Sequence, residues 1–179
     1  MISRNCTKHN VRCPYMDMPP QEERAASPDK ADLLWTPAIE AEIQAWQQTG
    51  TFPFPDLYIY PPPQPQYYSV EDLRLIHHVA SISSELAMHG AGSFTIWTRQ
   101  IPLFIKIGSS HPFVMNALLA LSASHLAWLT ECPITANMAY EHRGIAMKGL
   151  HEAIGAFSAQ NSDAVLAASM LLSWQSTEW

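Results

Sequence analysis

His111-Pro112-Phe113-Val114-Met115-Asn116-Ala117-Leu118-Leu119-Ala120-Leu121-Ser122-Ala123-Ser124-His125-Leu126-Ala127 is the stretch that decides the fold. Ser109-Ser110 precede it and Pro112 stands in a first turn, so Ser110 or His111 caps a helix here. Wound at 3.6 residues per turn, the stretch to about Trp128 is apolar almost all round. Such a helix belongs at the centre of a domain. The apolar run from Phe113 to Leu129 is interrupted by Asn116, Ser122, Ser124 and His125, which marks a buried helix and not a membrane span. Ala120, Ala123, Ser124 and Ala127 form a small-residue stripe that lets a neighbouring helix approach closely, while Leu118, Leu121, His125 and Leu129 line a different face.

Working outward, the neighbours are also helical. Ser69-Val70-Glu71-Asp72 is a capped start, followed by Leu73, Ile76, His77, Ala80, Ser83 and Ala87 along one face to about Gly90. Gly90-Ala91-Gly92-Ser93 is a turn, and a helix from about Phe94 to Ile107 bends near Pro102. On the other side Pro133 breaks the chain and a long helix runs from about Thr135 to Phe157, with Glu141, Arg143, Lys148 and Glu152 as its wet residues. Gly144, Gly149 and Gly155 inside it each cost roughly 1 kcal/mol relative to Ala, and close helix packing is the expected compensation. Asn161-Ser162-Asp163 caps a last helix that reaches Trp179. It carries Leu171, Leu172, Trp174 and Trp179, more apolar surface than a chain end normally shows, so the chain is expected to stop before the fold does.

Upstream, Thr36-Pro37 opens a short helix, 36–48, with Ile39, Ile43 and Trp46 at helical spacing and Gly50 as its stop. Residues 16–34 are polar and read as a flexible linker. Residues 51–68 are rich in proline and aromatics, which forbids regular helix and suggests a segment pinned to a surface. No alternating strand pattern and no internal repeat is present. The fold class is all-α, with a helical domain over residues 69–179 behind a disordered, Pro-rich N-terminal region: 1–15 as a head and 16–68 as a linker with one short helix.

With 47% hydrophobic and 15% charged residues, the chain is apolar enough to build a core. Charge is unevenly placed. Residues 1–15 hold Arg4, Lys8 and Arg12 with no acid, whereas residues 31–179 hold five Lys/Arg against twelve Asp/Glu, net −7. A basic head on an acidic body fits nucleic acid meeting the head only. No secretion signal is read after Met1, and Cys6, Cys13 and Cys132 make no disulfide framework, so a reducing intracellular compartment is expected. Cys132 reads as inert.

Catalytic patterns are missing. His77 and His78 point about 100° apart on a helix, so they cannot jointly face one ion; His77 and His125 read as hydrogen-bonded core histidines. His151-Glu152 has Gly155 where a zinc protease needs a second histidine. No Gly-x-Ser-x-Gly, phosphate loop or dinucleotide fingerprint occurs, and no enzyme is expected.

Two sets of residues carry a resemblance. Cys6 and Cys13, separated by six residues that include Lys8 and Arg12, resemble the closing third of the six-cysteine binuclear zinc cluster of fungal transcription factors. Leu73-Arg74-Leu75-Ile76-His77-His78, Trp97 with Pro102, and the 111–127 stretch, in that order, resemble the regulatory region of those factors, especially the sterol uptake control protein family. The resemblance implies an all-helical regulatory domain, dimerisation through it, nuclear action and, in sterol members, an apolar effector ligand. It also implies zinc on Cys6 and Cys13. Four of six ligands are absent, and two thiolates with His9 as a third donor do not complete a tetrahedral site. Zinc is therefore not expected to be held stably, and specific DNA binding is not expected of this chain alone. Lys8 and Arg12 would serve phosphates only. The reading is a transcription regulator fragment with an incomplete DNA-binding head; a helical module that binds a protein or an apolar molecule without touching DNA is the alternative.

Overall fold

The computed structural model describes residues 29–88 and 96–175. The head at 1–15, the turn at Gly90–Ser93 and Trp179 lie outside the described residues. Six α-helices and two short 3₁₀ turns make up the described chain: α1 (Pro37–Thr49), the turns Pro55–Leu57 and Pro65–Tyr67, α2 (Val70–Met88), α3 (Ile96–Gly108), α4 (Pro112–Thr130), α5 (Pro133–Gly155) and α6 (Ser162–Trp174). No strand is present among the described residues, so the all-α expectation holds.

The α4 helix is the axis of the bundle. It packs against α2, α3, α5 and α6, most extensively against α5. Val114, Ala117, Leu118, Ala120, Leu121, Ala123 and Leu126 have essentially no exposure. By length and composition this helix could cross a membrane, but here the rest of the chain wraps it. Of the small-residue stripe, Ser124 and Ala127 line a cavity together with Ala136 and Ala139 of α5.

Local signals placed the starts of α1 and α2 correctly. The Thr36 hydroxyl accepts from Ile39 N at 3.3 Å, Pro37 stands in the first turn of α1, and Gly50 ends it at φ 70°. At α2, Asp72 N donates to Ser69 Oγ at 3.0 Å while Ser69 N donates to Asp72 Oδ2 at 3.2 Å, a reciprocal box that satisfies two end N–H groups. The cap of α4 is His111 and not Ser110.

Five expectations need correction. Pro133 does not break the chain but opens α5, because proline lacks only an N–H that a first turn leaves unused. Of the three α5 glycines only Gly149 is a close-packing residue: a Cβ there would lie 2.5 Å from Phe113 Cβ, whereas Gly144 and Gly155 face open space. The burial of α2 is wider than one face, since Arg74, Leu75, His78 and Val79 are covered too, and Ala87 is exposed. The polar stretch read as linker to residue 34 ends earlier: Leu33 is buried, and Thr135 Oγ1 donates to Asp32 O at 2.9 Å. Lastly, the apolar surface expected on the last helix is partly covered: Leu171 is buried and the Trp174 ring lies 5.8 Å from Phe104, while Leu166 stands exposed.

The Pro-rich segment is pinned at both ends, with Pro63 and Pro65 buried and Tyr68 against the core at the far one. Phe52 is buried edge-on to Trp46 at 5.2 Å, Phe54 meets the His77 ring at 4.9 Å, and Ser84 Oγ donates to Asp56 Oδ2 at 2.7 Å. Tyr58, Tyr60 and Tyr67 project into solvent.

Candidate functional site

The two histidines of α2 diverge as helix geometry requires. His77 Nε2 reaches Glu42 Oε2 on α1 at 2.8 Å. His78 Nε2 lies 2.9 Å from His125 Nδ1 on α4, and Trp128 stacks on the His125 ring. Burial pushes His77, His78 and His125 below the ordinary imidazole range. His78, lowered to about 3, is also depressed by Arg74, His125 and His77. These contacts tie α2 to α1 and α4, and the core-histidine reading of His77 and His125 matches this geometry.

Arg74 beside them was not anticipated as a buried residue. It is 3% exposed, and burial lowers its pKa to about 10. Its Nη2 reaches Leu34 O at 3.4 Å and its guanidinium carbon lies 6.0 Å from the centre of the Trp35 ring, but Nε and Nη1 have no partner among the described residues. A second polar link joins three helices: His142 on α5 meets Asp72 Oδ1 at 3.3 Å and Asn116 Oδ1 at 2.9 Å.

Cys6, Lys8, His9, Arg12 and Cys13 lie outside the described residues. Among the described residues no group of three or more His, Cys, Asp or Glu could hold a metal ion. The donor set of the head, two thiolates and one imidazole, does not fit a two-zinc cluster, which needs four ligands on each ion. Cys132 is buried at the start of α5, its thiol 3.9 Å from Lys30 O.

An open, mostly apolar groove runs along α5 between α4 and α6. A cavity of about 550 Å³ lies among Ser124, Ala127, Trp128, Ala136, Tyr140 and Gln175, and continues at Arg143 into one of about 490 Å³ bounded by Met147, Leu150, Ile154 and Leu172. Trp128 is 64% exposed and Tyr140 68%, large values for aromatics beside a core. Arg143, read from the sequence merely as a wet residue, stands where the two cavities meet. The three-and-four spacing of Tyr140, Arg143, Met147, Leu150 and Ile154 was the available signal.

Comparison with known proteins places this architecture. Residues 94–177 match the fungal specific transcription factor domain, a span that begins before α3 and takes in α4, α5 and α6. Over that span the chain is similar to the fungal specific transcription factor domain. The chain is similar to sterol uptake control protein 2 of Candida albicans, 35% identical over 106 residues, 56% of this chain and 14% of that protein. It is also similar to sterol uptake control protein 2 of Saccharomyces cerevisiae, 32% identical over 102 residues, 56% of this chain and 11% of that protein. The chain thus spans about a seventh or less of the length of these relatives. No solved structure matches it significantly.

Proposed function

We propose that the chain works in transcriptional regulation through its helical domain, in the nucleus, and that the 179-residue chain does not read DNA sequence by itself. The observation that carries the first part is the match of residues 94–177 to the fungal specific transcription factor domain, with α4 as its buried axis. The second part rests on the head. Specific readout needs a folded module that sets side chains against base edges, and a zinc cluster folds only around its metal. Cys6 and Cys13 supply two thiolates of six, so Lys8 and Arg12 are left as salt-sensitive phosphate contacts. The names of the two relatives point to sterol uptake as the regulated process, and an apolar effector or a homodimer partner would engage the helical domain.

The test has two arms. The whole chain, tethered to a reporter promoter through a heterologous DNA-binding domain, is expected to shift reporter output, and to shift it differently when cells are starved of sterol. Unchanged output with the protein present would remove the regulatory reading. The untethered chain, titrated with DNA at about 150 mM salt with zinc present, is expected to show no preference for any sequence. Sub-micromolar affinity for one sequence over scrambled DNA would overturn that half.

A further inference from the structure

Tyr140, Arg143, Met147, Leu150 and Ile154 recur on α5 at spacings of three and four, the a and d positions of a heptad seam. Such a seam is ordinarily covered by another helix. Here Tyr140 is 68% exposed, Met147 56% and Ile154 54%, while the adjacent Ala139 and Ala146 are buried. The seam borders the groove beside α6, whose walls include Arg143 and His151 and, among the described residues, no Asp or Glu. Arg143 forms no ion pair among the described residues. A locally cationic apolar groove on a body of net charge −7 over residues 31–179 is complementary to an apolar stripe bearing a carboxylate.

We propose that this groove takes one amphipathic helix from another protein, apolar at heptad spacing and carrying an Asp or Glu that pairs with Arg143. A second copy of the chain is a poor occupant. The acids of α5 in this stretch, Glu141 and Glu152, lie off the seam, so seam-to-seam pairing would bury Arg143 against apolar residues without a partner. Residues 16–28 are also a poor occupant. They contain Asp17, Glu22 and Glu23, but Pro19-Pro20 and Pro28 interrupt them and their large apolar residues are only Met16 and Met18. The proposal goes beyond the transcriptional reading and does not depend on it: peptide binding and the tethered reporter succeed or fail separately.

The probes are synthetic helical peptides of about five turns, with leucine at the a and d positions and a single central glutamate. A second peptide has lysine in its place, and a third has the same composition scrambled. Titrated by fluorescence anisotropy into the whole chain, the glutamate peptide is expected to bind about tenfold more tightly than the lysine peptide. Arg143→Glu is expected to invert that order and Arg143→Gln to erase it, with circular dichroism confirming that both variants fold. Equal affinity for all three peptides, or an unchanged order in Arg143→Glu, overturns the proposal. A chain that sediments as a dimer, and that Met147→Lys converts to a monomer, assigns the groove to a second copy and overturns it too.

Discussion

At the scale of single residues the three α5 glycines separate cleanly. Gly149 lets α5 lie against Phe113 of α4, and a methyl group there would collide with Phe113 Cβ at 2.5 Å. Gly149→Ala is therefore expected to destabilise by about 1–3 kcal/mol, because the obstacle is the stem of a ring and not a flexible tip. Gly144 has nothing within 4 Å of a would-be Cβ. Gly144→Ala is expected to stabilise by about 0.5–1 kcal/mol, the backbone entropy that glycine gives up in a helix. Urea denaturation of the two variants beside the parent checks both signs. Sequence alone gave the three glycines one explanation, since each looks the same from within its own helix. What tells them apart is the neighbouring helix.

At the scale of elements, starts were legible and burial was not. Ser69 with Asp72 forms the box its spacing announces, and Ser69→Ala is expected to cost about 1 kcal/mol. The same Asp72 holds His142, so Asp72→Ala is expected to cost more than Ser69→Ala, which leaves the α2–α5 link in place. Thermal melts of the two variants decide the order. On α4, Leu118 has no exposure, and Leu118→Ala is expected to cost about 2–5 kcal/mol. Arg74 marks the limit of element-level reading. Its position on α2 follows from periodicity, yet nothing local says that Trp35 and Leu34, forty residues away, cover it.

At the scale of the whole molecule the buried imidazoles make stability depend on pH. In an unfolded chain they take up protons near 6.5, whereas folded His78, desolvated and beside Arg74, His125 and His77, stays neutral down to about 3. The unfolded state binds more protons across that window, so this stability is fully present above about 6.5 and is lost as pH falls toward 3. The urea midpoint is expected to fall steadily as pH drops below about 6.5, and His78→Gln to flatten the slope. A midpoint constant between pH 7 and 4.5 would contradict this account. The sequence by itself determined the all-helical class, the central place of the 111–127 stretch and the start of most helices, because caps, breakers and the 3.6-residue period act within a few residues of each other. It also carried the resemblance to fungal transcription factors, which resides in ordered motifs. Only the tertiary structure decided which histidine meets which partner, which glycine is a packing residue, and that Leu33 and Phe52 of the upstream segment join the core. It alone showed that Tyr140, Met147 and Ile154 of α5 stand uncovered. Those facts depend on which helix faces which, and pairing is set by contacts between residues far apart in the chain.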